Sequence, residues 1–272
     1  MSRPKYILFA FAIAALTLTG AGAGIGAEEI NHENEASWVS IRKDTFGQQE
    51  MIDGKGLLSL EAPERAEDAA VVPITIRLAP ELADNVKSLT LIADENPAPV
   101  VATFTYGEAA GRGPRTLATR IRVDRYTFVR AIAESSDGKL YMTKAFVKAS
   151  GGCSAPASRD AEEAAKSIGK MRIRTATGNA GKSDLGEVMM RHPNISGLAI
   201  DQLSGGYPPA RFISHLSVTA DGKLVFAMEG GISISEDPHF RFSYLPGASD
   251  SLEVTAEDTE GTKFSGRSGN PS

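Results

Sequence analysis

Cys153 and four histidines, His32, His192, His215 and His239, are the side chains with the most chemistry to offer in this chain of 272 residues. Cys153 is the only cysteine and lies in KASGGCSAP, residues 148–156, directly after two glycines. A free thiol titrates near ~8.5, so a minority is nucleophilic thiolate at neutral pH. Lys148 supplies a nearby positive charge that raises that minority slightly. Gly151 and Gly152 add no side-chain bulk beside the thiol and leave the backbone free to swing. Such a cysteine is either buried and inert, paired with another molecule, or kept for chemistry.

Other chemistries find less support. The histidines form no HxH or HxxxH pair, and zinc or copper needs three or four converging ligands, so no metal site is expected. A Cys–His hydrolase requires a base within reach and an oxyanion hole. Cys153 precedes a short helix former only by several residues and across Pro156, and no GxSxG sequence occurs. AGRGPR and TGNAGKSD lack the spacing that cradles phosphate. These patterns give no catalytic residue and no cofactor site, and they point away from an autonomous enzyme. A thiol presented without its own base is the logic of a carrier, on which partner enzymes perform the reactions.

Compartment sharpens that logic. Arg3 and Lys5 precede the apolar run YILFAFAIAALTL, and GAGAGIGA follows. This is the layout of a secretory signal peptide, expected over residues 1–27 with cleavage after Ala27 or, alternatively, after Ala23. The apolar run is short of the roughly 20 residues of a membrane span. Loss of Arg3 and Lys5 takes the formal charge from −5 to −7. An acidic chain without a Lys/Arg cluster has no general attraction for nucleic acid or anionic lipid. Export to an oxidising space makes an unpaired thiol hazardous, which favours a purpose for Cys153.

The rest of the chain must position that residue. Trp38, Ile41 and Thr45 share one face of a short helix over 36–46, with Trp38 as a core-covering anchor. LLSLEAPERAEDAA reads as an acidic connection. From Val71 the period is two: VVPITIRL, SLTLIAD, VVATFTY, TLATRIRV, YTFVRAIAE and KLYMTKAFVKAS are expected strands. Asn96-Pro97-Ala98-Pro99 is a rigid turn and Ser136-Asp137-Gly138 a hairpin. Arg159 to Ile168 is a helix former within a linker. Beyond it, KMRIRTATG, LGEVMMRH, Phe212 to Val218, LVFAMEG, HFRFSYLP, LEVTAED and TKFSGR resume the alternation, with turns at Ala220-Asp221-Gly222 and Thr259-Glu260-Gly261. The expectation is an all-β chain of two tandem β-sandwiches: a first domain over 28–150, a cysteine-bearing loop and linker over 151–168, and a second domain over 169–272.

Several motifs resemble one family. KASGGCSAP is similar to the end of SoxY, the sulfur-carrier subunit whose GGCGG arm holds sulfur intermediates; APERAEDAAVVPITI and ENPAPVVATF are also SoxY-like. RHPNISGLAIDQLSGGYPPARFI and ISISEDPHFRFSYLPG resemble its partner SoxZ. A single chain in this order resembles the quinoprotein dehydrogenase-associated SoxYZ-like carrier proteins. The resemblance implies immunoglobulin-like sandwiches in the periplasm, with Cys153 as the covalent carrier position and Gly151 and Gly152 as its flexible arm. It implies periplasmic partners that load and unload the thiol, a PQQ-dependent dehydrogenase among the candidates. It requires no bound cofactor. His192, Pro193 and Gly197 match the SoxZ motif and read as turn residues. Three departures stand out: the arm is internal, Ser154-Ala155-Pro156 replaces the downstream glycines, and Asn194 stands where the SoxZ motif has methionine. The alternative is a noncatalytic interaction module for a quinoprotein dehydrogenase, with Cys153 incidental or in an intermolecular disulfide.

Overall fold

Alternation in the sequence becomes alternation of burial in the computed structural model, which describes residues 35–156, 158, 161–176, 184–201, 204–246 and 251–269. The expected signal peptide lies outside the described residues. The first half contributes β1 (Met51–Asp53), β2 (Leu58–Glu61), β3 (Val72–Leu78), β4 (Val86–Ala93), β5 (Val100–Tyr106), β6 (Arg115–Ile121), β7 (Thr127–Ser135) and β8 (Leu140–Val147). The second contributes β9 (Met171–Ala176), β10 (Asp184–Met190), β11 (Ile213–Ala220), β12 (Lys223–Gly230), β13 (His239–Tyr244), β14 (Leu252–Asp258) and β15 (Lys263–Arg267). In β3, Val72, Ile74, Ile76 and Leu78 all point inward, as successive side chains of a strand must alternate faces.

The chain is all-β, two tandem sandwich halves, and the halves share both of their sheets. One sheet runs β1-β8-β7-β4-β5-β12-β11-β14-β15 and the other β2-β3-β6-β13-β10-β9. The joins are β5 with β12, where Phe104 lies opposite Met228, and β6 with β13, where Leu117 lies opposite Phe242. Both are antiparallel. Beneath them Phe104 of the first half meets Phe226 and Phe240 of the second edge-on, at 5.8 and 6.1 Å between ring centroids. One core therefore continues from half to half. Pairing across the seam also covers strand edges that separate sandwiches would leave open.

The sequence-based elements recur with small shifts, and two strands go beyond them. LLSLEAPERAEDAA contains β2, which pairs with β3, and β1 lies parallel to β8. Both are three or four residues long, too short for a periodic signal. The hairpin turn at Asp221 and Gly222 has φ of 48° and 78°. The first helix, α1 (Ala36–Phe46), stops at Gly47. Trp38 anchors it against Ile92, Ile132 and Leu140. Beneath the indole ring lies Arg130, fully buried, with its guanidinium 4.3 Å from the ring centroid. Asp94 accepts hydrogen bonds of 2.8–3.0 Å from it. Nothing in the apolar context VRAIAE signals a buried ion pair.

Candidate functional site at the Cys153 loop

β6 ends at Ile121, and the chain beyond it, Arg122 to Asp124, forms the floor on which Cys153 rests. Gly151 donates its N–H to Asp124 O (2.8 Å) and Gly152 to Val123 O (3.0 Å). Val123 in turn donates to Ala69 O (2.8 Å). Gly151 has φ of 79°, a left-handed conformation that favours glycine. Gly152 is needed for a different reason: a Cβ there would stand 2.0 Å from Ala69 O and 2.7 Å from Val123 O. In this conformation the two glycines dock the arm against the floor.

Cys153 is a free thiol and fully buried, 0% exposed. The second half closes over it. The Ser196 hydroxyl donates to Cys153 O, and Ser233 places its hydroxyl against the thiol. Burial pushes the thiol pKa up to about 11; Asp124 adds to that, while Arg122 and the Ser233 hydroxyl oppose it. About one molecule in ten thousand is then thiolate at pH 7. The expected help from Lys148 does not arise here: Lys148 Nζ bonds Glu64 at 2.8 Å, and the cation acting on the thiol is Arg122. As it stands the site protects a thiol rather than activating one.

Around the thiol a polar lattice joins the halves. Asn96 donates to Arg122 O (2.8 Å) and Ser233 Oγ (2.9 Å) and accepts from Asp124 N (2.9 Å). Arg122 donates to Ile234 O (2.6 Å) through its side chain and to Ser233 O (2.7 Å) through its backbone. Ser235 donates to Ala70 O (2.7 Å). The loop carrying Ser196 is set by His192 and Asn194, both buried. The His192 ring Nδ1 lies 2.7 Å from Asn194 Oδ1, and Asn194 Nδ2 donates to Ser235 O (3.1 Å). Of the expected turn residues His192, Pro193 and Gly197, Gly197 takes a left-handed conformation at φ of 80°. Asn96, Ser196 and Ser233 fall within the SoxY- and SoxZ-like motifs quoted above, Arg122 and Asp124 outside them, but no motif shows that the five converge. Their partners lie 26 to 137 residues away, so only the fold reveals them.

Downstream, the loop is held less. Ser154 and Pro156 are exposed, and the next tie is Ser158, which donates through N (2.8 Å) and Oγ (2.7 Å) to the two Glu236 oxygens. The short helix α2 (Ala161–Ser167) follows, inside the stretch expected to be helical.

The first half, with this arm at its end, matches the family model "Sulfur oxidation protein SoxY" over residues 42–153. The second half matches "Sulphur oxidation protein SoxZ" over residues 172–268. The chain joins a SoxY domain to a SoxZ domain. Together they mark a sulfur-oxidation carrier protein, and the SoxY match ends on Cys153 itself. Among solved structures, the sulfur carrier protein SoxY from Chlorobium limicola f thiosulfatophilum is similar at 22% identity and a TM-score of 0.34, covering 42% of this chain and 92% of that one. No curated protein sequence matches the chain. Among the described residues, no helix is long and apolar enough to cross a membrane.

Proposed function

We propose that this chain is a periplasmic sulfur carrier that bears its cargo covalently on Cys153 and is acted on by separate enzymes. The observation that carries the reading is the placement of the thiol. The free cysteine at the end of the SoxY match is enclosed at the seam by groups from both halves. Its enclosure rests on hydrogen bonds to a loop, which can be exchanged for water far more cheaply than a strand can be unpaired.

Two states follow. In the closed state the thiol is protonated and shielded, which suits an oxidising compartment. In the open state it regains an ordinary pKa and reaches a partner's site. Loading needs no outside oxidant when the donor is a partner's persulfide. Cys153 loses a proton and attacks the outer sulfur, and the partner's inner sulfur leaves as a thiolate and takes up a proton. The family favours sulfur over an alcohol-oxidation intermediate as cargo, and sulfur-oxidation enzymes over a quinoprotein dehydrogenase as partners.

The competing reading, an interaction module with an inert Cys153, is favoured by burial alone. Intact-mass analysis of protein isolated from its native periplasm, beside a Cys153→Ser strain, separates the two. The carrier reading expects adducts of one or more sulfur atoms on Cys153 and loss of sulfur oxidation in the variant. An unmodified thiol together with full activity of the variant would sink it.

A further inference from the structure

Beside the thiol loop lies an open groove of about 600 Å³ whose wall includes Ala155, Pro156 and Ser158 of that loop. Five cations line it: Arg120 and Arg122 from the first half, and Lys170, Arg172 and Arg191 from the second. Among the described residues, three carboxylates share the lining, Asp68, Glu236 and Asp237, against those five cations, a surplus of two positive charges on a chain of net charge −5. The carboxylates are already engaged. Asp68 accepts from Ala70 N, and Glu236 holds Ser158 with both oxygens. Asp237 takes His192 N with one oxygen and the Arg191 guanidinium with the other.

The arginines are not all matched. Arg122 is 5% exposed, and its side chain donates only to main-chain carbonyls, Ile232 O and Ile234 O. Among the described residues its Nε, a buried atom, has no hydrogen-bond partner, and neither has the buried Nε of Arg120. A buried donor left unmatched costs about 1–3 kcal/mol, and an anion is the group that removes that cost at a guanidinium. Arg122 also acts on the Cys153 thiol, so the groove and the thiol share one residue. Three methionines complete the wall, Met171 and Met190 buried and Met189 half-buried, an apolar and polarisable side to the groove.

We infer that this groove is a noncovalent subsite for a sulfur oxyanion, bound through Arg120 and Arg122 beside the thiol. The shared chemistry is an anionic sulfur–oxygen group, either on a free anion or at the outer end of a Cys153 adduct. The inference rests on the carrier reading for sulfur as the central atom, while the positive groove stands without the thiol. The charge of the site favours oxidised, anionic cargo over neutral cargo, and Arg120 and Arg122 are assigned as the residues that make this choice.

The test is an NMR titration of the full chain carrying Cys153→Ser with sodium thiosulfate or sulfate, against sodium chloride at matched ionic strength, following the arginine Nε–H signals. Saturable shifts at Arg120 and Arg122 are expected, weakened at least fivefold by Arg120→Gln and unchanged by Arg174→Gln, a surface position outside the groove. Lys170→Gln, at an exposed site, serves as a second groove variant should Arg120→Gln fold poorly, and at least a twofold loss is expected. No response beyond chloride, or equal affinity in both groove variants, would overturn the proposal. In wild-type protein carrying a thiosulfonate adduct, formed by attack of the Cys153 thiolate on tetrathionate with thiosulfate as the leaving group, the same signals are expected to be shifted already and to resist further titration. Unshifted signals there would confine the site to free anions and contradict the cargo role. Because the first titration lacks the thiol, absence of adducts in native protein would leave its outcome untouched.

Discussion

The two limbs of the Cys153 loop are held very differently. Upstream, Gly151 and Gly152 lie on a backbone floor in which each N–H is matched, and Gly152 is packed too closely against Ala69 and Val123 to carry a side chain. Downstream, Ser154 and Pro156 are exposed, and among the described residues past Pro156 the hold is Ser158 on Glu236. The difference teaches how an arm tethered at both ends can work. On the carrier reading, the downstream limb is expected to release first, with the upstream limb as the latch that sets how often the thiol is seen.

The comparison is sharpened by the ratio of Cys153 alkylation rates in native and denatured protein, which reads the opening equilibrium. The largest effect is expected from Asn96→Ala, which strips the floor beneath the upstream limb. Leaving Arg122 O, Ser233 Oγ and Asp124 N without this partner costs about 2–3 kcal/mol, so alkylation rises ~30- to 150-fold and the thermal midpoint falls. Gly152→Ala follows: overpacking against two carbonyls costs about 2 kcal/mol, or ~30-fold in alkylation, without the same loss of global stability.

Next comes pH. The raised thiol pKa stabilises the closed loop fully below the ordinary value near ~8.5, and that stabilisation is lost as pH climbs toward about 11. The native-to-denatured rate ratio is therefore expected to be flat at neutral pH and to rise up to ~10-fold per unit through that window. Ser196→Ala removes a single bond to Cys153 O and is expected to cost about 1 kcal/mol, roughly a fivefold rise. Glu236→Gln, on the downstream limb, weakens the exposed Ser158 tie, worth about 0.5 kcal/mol or ~2-fold. An effect of Glu236→Gln larger than that of Gly152→Ala would reverse the assignment of the latch.

Much of the fold was legible because burial in a sandwich imposes a two-residue period, as in β3 and β14, and because turns such as Asp221-Gly222 need left-handed residues. The helix ended by Gly47 and the anchoring role of Trp38 were equally local. The shared sheets were not legible, since pairing of β5 with β12 joins residues more than a hundred positions apart and leaves no mark on either strand. At the site, Cys153 and its glycines stood out by type. Their docking did not, because it depends on carbonyls of Ala69 and Val123 and on hydroxyls of Ser196 and Ser233 brought from distant loops. Composition shows that a thiol is present; only the fold shows that it is shut away.

The central claim, a carrier thiol that is stored closed and presented by opening, is tested most directly by the time course of Cys153 alkylation in native and unfolded protein at pH 8. Opening against the upstream latch predicts native labelling that is complete and single-exponential, slower than in the unfolded chain by about 10²-fold or more. Labelling at the unfolded rate would show a thiol never stored. Labelling that proceeds only as fast as global unfolding would show an inert core residue, and would contradict the account.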